Sequence, residues 1–400
     1  MFKMLKAVRI KNFKSLKDLK LELKPITVFI GPNGSGKSSV FQALLSLKRF
    51  VLKNANVQYE QLFNLEGYMN FGSPQDVAHL KEHYPICIGI DTENINKKLS
   101  YTVKIKKDDK VNVKISVKTD KIDFNAKREL DLPYTQPTNT PHTFKYGDTT
   151  QTIKWDGILN VFAQSQHGHE LKELIEELRS LIVDIYLIPY FIPGFTQAQI
   201  STTAIDARMS LVIPASYVSS KIYSDVDIEE FILETTNDLF EGKWVRLRLT
   251  ELIVRISRYK TIKIVNEGGG LNRITYLLGA ILSVPRGSCI LIEEPETNLH
   301  PKVQFELPKY LVELSKHTDK QLILSTHSEH FLYGLLDCIK NREVDLSLDD
   351  VAIYYFSYNR NELKTEYKAL EIDKDGRVKG GLPGFFEEDI KELIKAMEIQ

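Results

Sequence analysis

The chain has 400 residues, 53 basic against 53 acidic side chains, a formal net charge of zero and 42% hydrophobic residues, an ordinary globular composition. That balance argues against a generally basic nucleic-acid binder but leaves room for a local basic patch. No run of about 18 apolar residues marks a membrane span, the start (MFKMLKAVRIKNFKSLKD) lacks a signal-peptide core, and Cys87, Cys289 and Cys338 are too scattered for a disulfide frame or zinc site, so buried thiols in a reducing cytoplasm are expected.

Residues 5–11 and 18–23 alternate as short strands. Ile26–Ile30 (ITVFI) is an apolar run ending in glycines, the pattern of a buried strand entering a loop. From Ser38 the apolar residues Val40, Phe41, Leu44, Leu45 and Leu47 recur at helical spacing. Residues 101–118 alternate around Asp108 and Asp109, predicting a β-hairpin with one apolar face. Further strand-like segments reach about residue 155. Helices are predicted over about 168–186, 226–240, 270–283 and 302–316, with buried strands at 288–292 (SCILI) and 321–325 (QLILS). Buried strands alternating with helices imply a mainly parallel sheet covered on both faces.

Residues 31–38 (GPNGSGKS) satisfy G-x-x-x-x-G-K-[ST] between that strand and helix. Backbone N–H groups around Asn33, Gly34, Ser35 and Gly36, with Lys37, Ser38 and Ser39 opening the helix, suit the phosphates of ATP. Lys37 is suited to the β- and γ-phosphates and the Ser38 hydroxyl to Mg²⁺. The strand at 288–292 runs into Glu293 and Glu294: the first suits Mg²⁺, the second suits the attacking water. A solvated acidic turn is the competing reading. Ser325, Thr326 and His327 end the next strand, where His327 is suited to the γ-phosphate. Gly268, Gly269 and Gly270 precede a helix, as an anion site or as a plain turn.

Together these strings resemble an ABC-type ATPase of the RecF/SMC/OLD-like branch of AAA family ATPases. The resemblance rests on IKNFKSLKDLKLEL, ITVFIGPNGSGKSS, GGGLNRI, ILIEEPETNLHP and LILSTHSEHFL, covering most of 1–80 and 265–335, with a tail (EIDKDGRVKGGLPGFFEEDIKEL) of related type. It implies an α/β P-loop NTPase head: a mainly parallel sheet, an N-terminal antiparallel β-subdomain and an inserted α/β region. The expected division is 1–90 with the Walker A loop, 91–245 inserted, 246–340 with signature-like loop, Walker B, D-loop and H-switch, and 341–400 as closing strands and helix.

The resemblance further implies a head-to-tail homodimer sandwiching two ATPs. Gly268, Gly269 and Gly270 would meet the partner copy's γ-phosphate, and Asn298 and His300 would lie in the loop between subunits. Lys14 is a candidate phosphate contact, with a solvated lysine as the competing reading. Gln75 is the candidate for the metal-linked glutamine of such ATPases, with a turn residue as the alternative.

The signature departs from LSGGQ: Glu267 stands near the usual Ser and Asn272 near the usual Gln, which argues for slow turnover and against a transporter ATPase. Lys37 and Glu294 are 257 positions apart, too close for SMC-length coiled coils. Asp373 and Asp375 could mimic the metal pair of an OLD-type nuclease but read as a hairpin turn, so no Toprim domain is expected. Residues 91–130 hold 11 basic against 7 acidic side chains, suiting a phosphate backbone or a solvated sheet face. The expected function is an ATP-gated switch acting on DNA or on a nuclease or toxin effector, in DNA repair or antiphage defence. A low-turnover ATP-binding scaffold for a partner protein and an OLD-like nuclease are the alternatives.

Overall fold

The strand Ile26–Ile30 is buried at every position, as its unbroken apolar run requires. In the computed structural model, which describes residues 4–52, 58–133, 140–191, 207–248, 251–257, 260–342 and 344–379, this strand lies inside a six-stranded sheet. Across the sheet the order is Ile185–Ile188, Cys289–Glu293, Gln321–Thr326, Ile26–Ile30, Val351–Asn359 and Lys364–Ala369. The first five run parallel and the last pairs antiparallel.

The parallel register matters for chemistry. Glu293 pairs with Ser325, and Thr326 with Ile30. The acidic pair, the Ser-Thr-His end and the glycine loop therefore emerge from one carboxyl edge of one sheet, where open α/β sheets bind ligands.

Alternation along these strands splits the core into two. Phe29, Leu291 and Ile323 face the helix Lys37–Leu52, the helix Gln166–Val183 and the antiparallel sheet. Val28, Ile290, Ile292 and Leu324 face the helices Ala215–Ser224, Val226–Leu239, Gly269–Ser283, Pro301–Thr318 and Glu329–Asn341.

The second sheet has nine strands, from Leu16–Glu22 and Ala7–Phe13 at one edge through Ile86–Asn94, Lys97–Ile105, Lys110–Thr119 and on to Val161–Phe162. The expected boundary at 90/91 falls inside Ile86–Asn94, which pairs with Ala7–Phe13 on one side and Lys97–Ile105 on the other. Within 91–245 the described residues extend this sheet, supply Ile185–Ile188 to the parallel sheet and place two helices in its second core.

The hairpin at 101–118 turns at Asp108 and Asp109 as expected, with Asp109 at φ 57°. On its outer face Lys104, Lys114 and Lys118 are exposed, while Lys106 pairs with Glu129 at 2.6 Å. Cys289 and Cys338 are buried, but Cys87 is only partly so, because it points to the outer face of the antiparallel sheet. The Asp373 carboxylate accepts from Asp375 N and Arg377 N, both at 2.9 Å, and so caps its own turn. No helix among the described residues is long and apolar enough to cross a membrane. The helix expected near the end of 341–400 lies outside the described residues.

Candidate active site

Gly31, Gly34 and Gly36 take φ values of 140°, 76° and 102°. A Cβ on Gly31 would meet Phe356 O at 2.1 Å, and one on Gly36 would meet Thr365 Oγ1 at 2.3 Å. The loop is thus shaped by glycine and braced by the two last strands of the sheet. Thr365 Oγ1 donates to Ser35 O at 2.9 Å and lies 2.7 Å from Ser15 Oγ. Asn33 and Gly34 are exposed at the loop tip, while Ser38 and Ser39 are half-buried.

The helix opens at Lys37 with no acidic residue in its first turn, so its positive end is left for an anion. Lys37 is 5% exposed. Its Nζ donates to Gly31 O at 2.8 Å and Pro32 O at 2.9 Å. Burial lowers the amine to about 8, with Glu294 and Glu296 acting the other way. The loop's own carbonyls thus hold the amine where phosphate oxygens would compete for it.

Glu293 ends its strand 3% exposed. Its Oε1 accepts from the Tyr68 hydroxyl at 2.7 Å, and its Oε2 is buried without a hydrogen-bond partner. Burial pushes this carboxyl up; Tyr68 and the adjacent Ser38 favour its charged form. A buried carboxylate oxygen with no hydrogen-bond partner, on a group whose charged form Ser38 favours, fits a hard divalent cation. Among the described residues no cluster of three His, Cys, Asp or Glu side chains could hold a metal, but nucleotide-bound Mg²⁺ needs only one or two carboxylates.

Glu294 sits in left-handed backbone, φ 44°, with its N–H donating to Ser325 O at 2.9 Å. Its carboxylate lies 3.6 Å from His327 Nε2 and 3.3 Å from Thr297 Oγ1. His327 is the main cause of its lowered pKa, so the group is ionised at neutral pH. His327 is fixed in turn by Glu296, whose Oε1 accepts from His327 N at 2.9 Å and Thr326 Oγ1 at 2.7 Å.

Gly268 caps the helix Gly269–Ser283 and is exposed, with nothing within 4 Å of where its Cβ would stand. A Cβ on Gly270 would meet Asn298 O at 2.8 Å. The glycines therefore pack against the loop of Asn298, itself at φ 65°, while their helix start opens to solvent. His300 caps the next helix, its Nδ1 accepting from Lys302 N at 3.3 Å. Lys14 is not a solvated lysine: its amine donates to Gln42 at 2.7 Å, lies 3.6 Å above the Phe71 ring and is lowered by burial to about 8. Gln75 stands exposed on the short helix Pro74–Val77; the side chain that reaches Glu293 is Tyr68.

No motif marks Tyr68, and Arg273 lies within GGGLNRI without a role of its own there. Arg273, 2% exposed, donates to Pro189 O and Glu293 O, both at 2.6 Å, and to Glu294 O at 3.1 Å. Burial lowers this guanidinium to about 10. It ties the signature-like helix to the backbone of the acidic pair. Its further sequence signal is a cation on the buried stripe of an apolar helix. Arg273→Met leaves these carbonyls unpaired and is expected to destabilise the fold by ~2–4 kcal/mol in urea denaturation; an unchanged midpoint would show the contact to be idle.

With this geometry in view, two family models match the chain. One, described as AAA ATPase domain, matches residues 4–153 and 194–332. The chain belongs to that family. Membership implies ATP binding. The second, described as a protein of unknown function (DUF3696), matches residues 346–395.

The OLD nuclease of Thermus scotoductus is 32% identical over 79 residues, 18% of this chain and 15% of that protein. The chromosome partition protein Smc of Methanocaldococcus jannaschii is 33% identical over 93 residues, 22% of this chain and 7% of that protein. The matches thus span a small part of either relative. A solved SmcHead bound to the C-winged helix domain of ScpA shares the fold at TM-score 0.52 and 14% identity, covering 93% of this chain and 98% of that one. Part of this AAA family ATPase is thus similar to an OLD nuclease and to an Smc protein, and its fold is that of the SmcHead, a P-loop α/β head.

Proposed function

We propose that this AAA family ATPase is an ATP-gated dimeric switch that hydrolyses ATP slowly. The observation that carries this is the division of the site. Phosphate loop, Glu293, Glu294 and His327 converge on one sheet edge, while the signature-like helix start at Gly268 is exposed beside the Asn298 loop. An exposed helix start suits an anion brought by another molecule, and a second copy carries one on its own phosphate loop.

In this reading Lys37 leaves Gly31 O and Pro32 O to hold the β- and γ-phosphates. Ser38 and Glu293 would hold Mg²⁺, which neutralises phosphate charge when bound. Glu294, ionised and oriented by His327 and Thr297, takes a proton from the attacking water. Loss of the γ-phosphate then releases the partner copy. The output acts on DNA or on a bound effector such as a nuclease or toxin, in repair or antiphage defence. The SmcHead bound to ScpA is an example of a partner protein on this fold.

Glu267, near the usual signature serine, favours a second reading. Its carboxylate, paired with Lys243 at 3.3 Å, stands beside the glycines that would face a phosphate, where the usual signature has a neutral hydroxyl. That favours slow turnover and a scaffold-like role. DNA-stimulated hydrolysis would support the switch; turnover indifferent to DNA would support the scaffold.

Glu294→Gln keeps the side chain's shape and removes the base. Its single-turnover hydrolysis is expected to fall by ~100-fold or more, and light scattering in ATP and Mg²⁺ should show dimers accumulating. A wild-type rate would remove Glu294 from the chemistry, and a monomer in ATP would remove the dimer.

A further inference from the structure

One set of polar side chains at the site is accounted for by no motif. Gln42 follows Ser38 by one helical turn and is buried. Its carbonyl oxygen accepts from Lys14 Nζ at 2.7 Å, which leaves its amide N–H₂ as the donor. The Gln42 side chain favours the ionised form of the Tyr68 phenol, as an amide donor near its oxygen would. The Tyr68 hydroxyl donates to Glu293 Oε1 at 2.7 Å. Phe71 closes the set from the other side, with the Lys14 amine over its face and its ring 6.4 Å from that of Tyr68.

We propose that Tyr68 is the positioning residue of the cation site: it occupies Glu293 Oε1 and thereby leaves the unpartnered Oε2 as the oxygen offered to Mg²⁺. This rests on the reading of Ser38 and Glu293 as metal holders. Two observations fit it together. One carboxylate oxygen has a short, directed partner, while the other is buried with none. A carboxylate so divided cannot rotate without losing the phenol's hydrogen bond, so its geometry is set before the cation arrives. Outer partners of metal ligands act in this way.

The set also joins three separate segments. Lys14 lies at the tight turn after the first strand, Gln42 in the phosphate-loop helix and Tyr68 in the segment leading to Phe71. Tyr68 stands beside Glu293, while Gln75, the candidate metal-linked glutamine, stands exposed on the helix Pro74–Val77. A phenol donates one hydrogen bond and is not a usual Mg²⁺ ligand, so its effect passes through Glu293 and not through direct coordination.

The test is binding of a fluorescent ATP analogue to the full chain across a Mg²⁺ titration, with EDTA as the metal-free arm. Tyr68→Phe keeps the ring and removes the donor. The Mg²⁺ concentration at half-maximal binding is expected to rise by ~10-fold or more, while binding in EDTA stays at the wild-type level. In a Glu293→Gln background, adding Tyr68→Phe should change nothing further, because the residue acts through that carboxylate.

A Tyr68→Phe titration that overlays the wild type overturns the proposal, as does an equal loss in EDTA or an additive double variant. Should Tyr68→Phe not fold, Gln42→Ala removes another member of the same set. Its Mg²⁺ requirement is expected to rise, and an unchanged requirement overturns the proposal. Wild-type binding that ignores Mg²⁺ would instead remove the metal reading of Ser38 and Glu293, and the role of Tyr68 with it.

Discussion

Replacing Lys37 with alanine is expected to lower ATP affinity by ~100-fold or more, because each charge-assisted contact from its amine to a phosphate is worth about 1.5–3 kcal/mol. The fold should survive, since the amine is held only by Gly31 O and Pro32 O in its own loop, with the Ser35 hydroxyl at 3.5 Å. Calorimetric titration measures the affinity and thermal melting the fold. Undiminished binding by a folded variant would place ATP elsewhere. The same amine gives a pH signature. Burial lowers it to about 8, so as pH rises through that value the nucleotide-free site loses its cation. Bound phosphate favours the charged form, so ATP affinity should fall above about pH 8 and hold level below it.

The second large effect is expected at Gly268. This residue sits at φ −62° with open space beside it, capping a 15-residue helix. Aspartate is a favoured cap at such a position, so Gly268→Asp should leave stability unchanged or raise it by a few tenths of a kcal/mol. If a partner's γ-phosphate docks at this helix start, the new carboxylate meets it with like charge. Hydrolysis should then drop to background while ATP binding by the single chain persists. A variant that turns over at the wild-type rate would show that these glycines are turn geometry alone. The two readouts separate because stability depends on the chain itself, while in the proposed reading turnover depends on the second copy.

Much of the catalytic edge was legible because its signals are local. GPNGSGKS needs its glycines for three left-handed or near-left-handed backbone positions. Apolar runs that end in acids or in Ser-Thr-His declare buried strands whose last residues reach a site. Parallel pairing then had to bring those ends together, and the register of Glu293 on Ser325 does so.

What stayed hidden depends on long-range contacts. Thr365 braces the phosphate loop from 330 residues away along the chain. Tyr68 and Arg273 meet the acidic pair through hydrogen bonds that no spacing encodes. The strand that spans 90/91 is hidden for the same reason: its pairing on both sides leaves no mark in composition. The short strand Ile185–Ile188 was absorbed into the preceding helix, because its IYLI run continues the helix's apolar pattern without a glycine or proline between them.

The central claim is that each ATP site is completed by a second copy, and mixing two inactive variants tests it most directly. Lys37→Ala lacks the phosphate contact but keeps an intact helix start at Gly268; Gly268→Asp lacks the helix start but keeps the phosphate loop. In a mixed dimer one of the two sites receives an intact half from each chain. Equal amounts of the two should therefore recover about a quarter of the wild-type ATPase rate, if pairing is random and the sites act independently. Recovery to that level is the expected result, and a mixture no more active than the two variants assayed alone, under conditions where subunit exchange is demonstrated, would contradict a site shared between copies.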